Sequence, residues 1–167
     1  ACHTDRDADW AAAEIADRFG PPARAPTHYG RILAAGRVRP GVETAALAAL
    51  ARDLGQPAIV RATALDQISG IPSPALADTL VDLLADPDPL VRAAAAPVQR
   101  GAPATERTAR LMPLLSDPVR TVRIAAARQM LDAPLGQASP ADIDALRAAF
   151  AEWQDSLRNK ADFPESH

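Results

Sequence analysis

The chain is poor in the residues that build sheets and disulfides. Aromatic side chains make up only 4% of its 167 residues, and it has a single cysteine. Scarce aromatic residues disfavour strands, and one cysteine cannot form an internal disulfide. The hydrophobic 48% is mostly alanine, leucine and valine, and alanine is the strongest helix former. We therefore expect an all-α protein.

The chain also lacks a dominant charge and a long apolar run. It has 18 basic and 21 acidic residues, with a formal net charge of −3. Binding to nucleic acid needs a clustered positive field, so no nucleic-acid partner is expected. No apolar run approaches the roughly 20 residues that cross a bilayer, so we expect no membrane insertion in this segment.

Signatures of catalysis are missing as well. The sequence contains neither a glycine-rich phosphate loop nor a nucleophile elbow. Its three histidines and one cysteine show no metal-ligand spacing. We expect that the chain is not an enzyme in its own right.

The 16 prolines predict where helices begin and end. Proline favours the first helical position, after a capping Ser or Asp. Such pairs are Ser73-Pro74, Asp88-Pro89, Asp117-Pro118 and Ser139-Pro140, and Asp142 adds a capping box. The predicted helices are Asp9–Phe19, a short one from a Thr27 cap to Gly36, Val42–Leu54, Pro57–Ile68, Pro74–Ala85, Pro89–Gln99, Ala104–Leu115, Pro118–Leu131 and Pro140–Lys160. Pro97 and Pro113 should kink or end their helices.

A repeat of 31 residues organises the middle of the chain. The repeated elements are Val60-Arg61, Val91-Arg92 and Val122-Arg123, Leu83-Leu84 and Leu114-Leu115, and Asp86-Pro87 and Asp117-Pro118. Gly55 takes the place of the Asp in a looser first copy. A fixed period with two helices per unit predicts stacked units that bury a continuous core. The register predicts burial of Leu50, Leu65, Leu84, Val91, Leu115 and Val122.

The pattern Leu-Leu-x-Asp-Pro-x-x-x-Val-Arg-x-x-Ala resembles the short HEAT-like repeats first described in phycobilin lyases. The resemblance covers roughly Gly41 to Asp132. It implies a right-handed α-solenoid of antiparallel helix pairs, an α-α superhelix. Such repeats occur in lyase subunits, scaffolds and multidomain bacterial proteins, so the resemblance leaves the function open.

The repeat resemblance also implies a role for the recurring charges. In HEAT-like repeats the arginines form a structural ladder, each reaching an inter-helix turn or an Asp. Here the ladder residues would be Asp86, Asp117, Arg61, Arg92 and Arg123. The alternative is a row of arginines that binds an acidic partner. We interpret the alanine runs 93–96 and 125–127 as close-packed core.

Cys2-His3 has the form of half a haem c motif, which is complete as Cys-x-x-Cys-His. The stretch from Cys2 to Ala11, with Phe19-Gly20 and His28-Tyr29-Gly30, resembles bacterial multihaem c-type cytochromes. In that family a haem-bearing region precedes HEAT-like and then tetratricopeptide repeats. The resemblance makes Cys2 and His3 haem-binding, with His3 on the iron, once an upstream cysteine is supplied. We expect no haem on this chain as it stands, and haem c in the longer protein.

The end of the chain, residues 151–165, is similar to the second helix and turn of a tetratricopeptide unit. The implied divisions are 1–26, the tail of a haem-bearing region with a linker; 27–138, HEAT-like repeats; and 139–167, the start of a tetratricopeptide region. The implied function is a non-catalytic protein-interaction or scaffold module of a periplasmic electron-transfer protein. Its partners would be neighbouring domains or a redox partner protein. The alternatives are an accessory subunit of bilin-lyase type and a generic cytosolic HEAT scaffold.

Overall fold

The computed structural model describes residues 5–20 and 28–159. Within those ranges every regular element is a helix and no strand is present, which confirms the all-α prediction. The α-helices are α1 (Ala8–Phe19), α2 (Tyr29–Val38), α3 (Thr44–Arg52), α4 (Ala58–Ser69), α5 (Pro74–Thr79), α6 (Pro89–Val98), α7 (Ala104–Leu111), α8 (Arg120–Arg128) and α9 (Pro140–Arg158). Short 3₁₀ helices cover Val81–Ala85, Gln99–Gly101 and Met112–Ser116. Among residues 5–20 and 28–159, none of the helices combines the length and the hydropathy that a membrane span requires.

Three of the predicted proline caps are confirmed. Ser73, Asp88 and Ser139 each accept a hydrogen bond from a backbone N–H of the helix that follows, with proline at its start. Asp142 completes the capping box with Ser139. These side chains satisfy amide groups that a helix end otherwise leaves without a partner.

The cap predicted at Asp117-Pro118 is wrong. Helix α8 begins at Arg120 with Val119 as its N-cap, and Asp117 lies in the turn before it. There the Asp117 Oδ1 accepts a hydrogen bond from the Val119 N–H at 2.8 Å. The 31-residue register equates Asp117 with Asp86, whose Oδ1 accepts the Asp88 N–H in the same way. The first unit has two Asp-Pro pairs in succession and the second has only one.

Two predicted helices are each divided in the structure. The segments 74–85 and 104–115 are short α-helices followed by 3₁₀ helices, and the change falls near Leu80 and Leu111. Pro113 lies in the second of these segments, but the first contains no proline near the change. Leu80 and Leu111 are fully buried and stand at equivalent repeat positions, so the shape follows the repeated packing. At the other predicted break, α6 continues through Pro97 and ends at Val98.

The cap of α2 also differs from the prediction. Helix α2 begins at Tyr29, and His28 rather than Thr27 is its N-cap. The His28 Nδ1 accepts a hydrogen bond from the Gly30 N–H at 3.1 Å. Thr27 lies outside the described residues.

The core forms mainly between the repeat-related helices α4, α6 and α8 and the helices at either end of that row. Helix α3 packs on α4, α4 on α6, α6 on α8 and α8 on α9, while α2 contacts α3 and α4. All six side chains that the repeat register predicts to be buried are buried: Leu50, Leu65, Leu84, Val91, Leu115 and Val122. The valines of the Val-Arg pairs therefore occupy the same kind of interior position in successive units.

Helix α1 stands apart from this core. None of its residues is buried, and none belongs to the core or to the side chains packed against it. Its largest apolar side chains, Ile15 and Phe19, are 60% and 83% exposed. The helix ends at Gly20, whose φ of 82° lies in the left-handed region that glycine adopts most easily.

Candidate protein-binding surface

Three arginines at equivalent positions of α4, α6 and α8 connect successive helices. The first, Arg61, forms a two-pronged ion pair with Asp86, and its Nε donates to the Ala51 carbonyl at 2.9 Å. The Arg61 and Asp86 side chains are only 5% and 2% exposed. This pair therefore links α4 to the turn that precedes α6 in the interior of the protein.

The second arginine joins two turns. The Arg92 Nε and Nη2 donate to the Asp117 carboxylate at 2.8 and 3.1 Å. The Arg92 Nη1 donates to the carbonyls of Asp86 and Pro87, at 2.8 and 3.1 Å. One guanidinium thus holds its own inter-helix turn and the next one.

The third arginine repeats half of this arrangement. The Arg123 Nη1 donates to the Asp117 and Pro118 carbonyls, as Arg92 does one unit earlier. Its other nitrogens pair with Glu152 of α9, where Nε lies 2.9 Å from Oε2. The sequence reasoning missed Glu152, because its separation from Arg123 is 29 residues and the earlier pairs are separated by 25.

These contacts keep the carboxylates ionised. Burial alone raises the pKa of Asp86, but hydrogen bonds from Arg61 and the Asp88 N–H outweigh it and place that pKa below its ordinary 3.8. The same balance, with Arg92 and the Val119 N–H, lowers the pKa of Asp117. The hydrogen bond from Arg123 lowers the pKa of Glu152. The arginines bind acceptors of their own chain, an arrangement able to hold consecutive helices together.

Two further arginines have structural contacts that the repeat pattern does not predict. Arg107, almost fully buried, pairs with Asp132 at 2.6 Å, and its Nε is buried with no hydrogen-bond partner in the described part of the chain. Arg110 bridges Asp78 and Gln99. One unit earlier the equivalent positions hold Leu76 and Thr79, so the period carries no signal for either arginine.

A shallow groove of about 390 Å³ crosses the face of α4, α6 and α8. Its lining follows the 31-residue period: Thr63, Ala94 and Ala125 occupy one repeat position, Asp66, Pro97 and Arg128 another, and Ile59 with Leu90 a third. The groove is therefore a product of the repeat itself. Below, "the groove" means this surface.

The chemistry of the groove is mixed along its length. Alanines form much of its surface, and the exposed side chains of Ile59 and Leu90 stand at the N-terminal ends of α4 and α6. Opposite charges mark its two sides, Asp66 on α4 and Arg128 on α8. Gln129 also lines it, is only 8% exposed, and has a buried Oε1 that lacks a hydrogen-bond partner among the residues that the structure describes.

The alanine runs, interpreted as core, belong to the core or pack against it, and they also form part of the groove. Ala95, Ala96, Ala126 and Ala127 are buried. Ala93, Ala94 and Ala125 are only partly buried and line the groove. A helix that packs on both neighbours still keeps one outward face, and small residues on that face leave a depression.

The haem-related residues, Cys2 and His3, lie outside the described residues. Covalent attachment of haem c uses two thiols and one imidazole, and the single cysteine does not complete that set. In residues 5–20 and 28–159, no group of three or more His, Cys, Asp or Glu side chains is placed to hold a metal ion.

Comparison with known proteins gives no identity. No family model, no curated protein and no solved structure matches this chain. The resemblances to HEAT-like repeats, multihaem cytochromes and tetratricopeptide repeats therefore stay predictions, as do the divisions after residues 26 and 138.

Proposed function

We propose that this chain is a non-catalytic protein-interaction module that binds a segment of another protein in the groove. The observation that carries the proposal is the groove itself, which combines exposed apolar side chains, small residues and two opposite charges on three repeat-related helices. Its helices would form a right-handed α-solenoid of HEAT-like pairs. The arginine ladder Arg61, Arg92 and Arg123 would fasten the pairs, leaving the groove as the surface for recognition.

The solenoid proposal is supported by the order of packing and by equivalent environments. Helix α4 packs on α6 and α6 on α8, so the equivalent helices of successive units are in contact, as expected for stacked repeats. Val60, Val91 and Val122 are all buried. The turns at Asp86 and Asp117 repeat the same hydrogen bonds to the backbone.

The shape of the groove favours a protein segment over a small molecule. Sites for small molecules are concave and enclose most of the ligand among converging polar groups. This groove is shallow, and its charged side chains lie on different helices, Asp66 on α4 and Arg128 on α8. An amphipathic helix binds in such a surface by placing a few large apolar side chains in it.

The proposal can be tested with a photo-reactive amino acid at position 94, in the groove. Partner proteins should cross-link there, and the same residue at the exposed position 54 serves as the comparison. Ile59→Asp should abolish the cross-link because it places a charge on the apolar end of the groove. Val38→Asp, on an exposed valine of α2, should leave it intact. Equal cross-linking in both variants would exclude the groove as the binding surface.

The proposed setting is a periplasmic multihaem electron-transfer protein, and Cys2-His3 is the feature that supports it. The chain as it stands should purify without covalent haem. A chain extended upstream, produced with cytochrome-maturation machinery, should stain for haem on a denaturing gel, and its His3→Ala variant should show an altered visible spectrum. An extended chain without haem would favour the alternative of a generic cytosolic scaffold.

The other alternative, an accessory subunit of bilin-lyase type, requires an acid or nucleophile in the groove. Asp66 is the one carboxylate among the residues that line it. Bilin binding by the purified chain, detected as a shifted absorption band, would support that alternative, and Asp66→Asn should then remove the activity.

A further inference from the structure

We propose that α1 is the protein's own ligand for the groove, lying across α4, α6 and α8 with its C-terminal end on α4. This inference rests on the proposed function, because it requires the groove to accept an amphipathic helix. In the structure none of the residues of α1 is buried. The docked form would be the second state of an intramolecular equilibrium.

One face of α1 is apolar, as much of the groove is. At the helical period of 3.6 residues, one side of α1 carries Ala8, Ala11, Ala12, Ile15 and Phe19. Its two large side chains are four residues apart and therefore neighbours on that side. With the C-terminal end of α1 on α4, they would lie near Ile59 of α4, while the small residues at the other end would lie against Ala125 of α8. Apolar side chains of α1 would thus cover apolar side chains of the groove.

The dimensions of α1 match the groove as well. A helix of 12 residues is about 18 Å long. Three adjacent helices packed at about 8–10 Å between axes span about 16–20 Å. One helix lying across α4, α6 and α8 would therefore cover the groove from side to side.

The connection to α2 is long enough for α1 to reach the groove. Tyr29, the first residue of α2, lines the same cavity as Gln56, which is three residues before Ile59 of α4. Residues 20–28 join Phe19 to Tyr29 and can extend to at most about 30 Å. This reach exceeds the groove's width of about 16–20 Å, so the connection permits docking with the C-terminal end of α1 on the α4 side and its N-terminal end towards α8.

The charges agree with this direction. Arg18 lies at the C-terminal end of α1 and Asp9 in its first turn. In the docked orientation Arg18 would approach Asp66 of α4, and Asp9 would approach Arg128 of α8. Arg18 is paired with Glu14 in the structure, but an exposed pair of this kind contributes little and can be exchanged.

Docking of α1 would make a partner compete with it. A partner can bind only the fraction of molecules in which the groove is open, so its apparent affinity falls by that fraction. The same helix would cover the apolar side chains Ile15 and Phe19 when no partner is present. Variants that undock α1 should therefore bind the partner more tightly.

The single cysteine, Cys2, provides a direct test on the full chain. A nitroxide spin label on Cys2 should reduce the intensity of backbone amide NMR signals from α8 and α6 if α1 docks as proposed. Phe19→Asp should restore those signals, and it should not affect folding because Phe19 is exposed. Val38→Asp is the matched control and should leave the reduction unchanged. Loss of signal from α2 alone, or no loss in the groove helices, would overturn the proposal.

Two further measurements separate this inference from its alternatives. In the first, chain that carries the spin label but no ¹⁵N is mixed with ¹⁵N chain that carries no spin label, and the ¹⁵N signals should stay unchanged. Reduced ¹⁵N signals would show that α1 binds a second copy, and would overturn docking within one chain. Phe19→Asp should also increase the partner cross-link at position 94.

If Ile59→Asp abolishes that cross-link while the label has no effect on the groove, this inference fails and the proposed function stands. If the label affects the groove but Ile59→Asp leaves the cross-link intact, the proposed function fails instead.

Discussion

The first and last ion pairs of the ladder have the same chemistry in different surroundings. The Arg61–Asp86 pair is almost completely enclosed, with side chains 5% and 2% exposed. The Arg123–Glu152 pair is 24% and 28% exposed. Removal of one partner from a buried pair leaves an uncompensated charge without water, whereas near the surface water replaces the lost partner. The two ends of one ladder should therefore differ strongly in their energetic importance.

The largest effect is expected for Arg61→Met. The substitution keeps most of the apolar stem but leaves Asp86 buried without its counter-charge, so the free energy of unfolding should fall by about 3–5 kcal/mol. Urea denaturation monitored by circular dichroism measures the change. The second substitution Asp86→Asn, which removes the charge and retains an acceptor for the Asp88 N–H, should recover part of the loss. An unchanged free energy of unfolding in Arg61→Met would contradict the claim that the buried pair is the more important of the two.

A pair of leucine variants tests whether the last unit is simply packed more loosely than the first. Loose packing is the other explanation for a difference between the two ion pairs. Leu84 and Leu115 occupy equivalent repeat positions and are both buried. Leu84→Ala and Leu115→Ala should each cost about 2–5 kcal/mol, with similar shifts of the denaturation midpoint. A much smaller cost at Leu115 would mean that the last unit is loosely packed throughout, and that burial of the ion pair is not the cause of the difference.

A smaller effect is expected on the pH dependence of the stability difference between the wild type and Arg61→Met. The lowered pKa values of Asp86 and Asp117 mean that their pairs contribute fully above the ordinary value of 3.8. That contribution is lost as the pH falls through the lowered values, because the folded protein must then take up protons. The gap in stability between the wild type and Arg61→Met should therefore narrow in acid. Denaturation curves at neutral pH and below pH 3.8 would show it, and a constant gap would contradict the role of charge.

The smallest effect is expected for Arg123→Met. Its partner Glu152 is partly exposed and can be solvated, so the ion pair contributes about 0–1 kcal/mol. The lost hydrogen bonds to the Asp117 and Pro118 carbonyls are also near the surface and available to water. A cost equal to that of Arg61→Met in the same urea experiment would show that burial does not distinguish the two ends.

The repeat period predicted the interior of the protein well. Val91 and Val122 are buried where the 31-residue register places them, because apolar residues at a fixed period can be covered only by the neighbouring unit. The period also brought Arg92 and Asp117 forward as candidates. It failed for Glu152, which lies on a helix outside the period and meets Arg123 through packing alone.

Local sequence signals were less reliable at element ends and on the outer surface. Two successive Asp-Pro pairs made Asp117 look like Asp88, and only the turn geometry shows that it is equivalent to Asp86. No proline near Leu80 predicts the change from α-helix to 3₁₀ helix there. The groove was missed because alanine is compatible with both a core and a shallow surface, and the choice at Ala94 depends on whether another element covers it.

The most direct test takes a partner protein that was identified by cross-linking and measures its dissociation constant for the Ile59→Asp and Arg92→Met variants. The measurement is made at a temperature where both variants are folded. We expect Ile59→Asp to lose binding while keeping the stability of the wild type. Arg92→Met should lose stability and keep the affinity. The opposite result, with binding lost in Arg92→Met and kept in Ile59→Asp, would make the arginines the recognition surface and contradict the assignment of the groove.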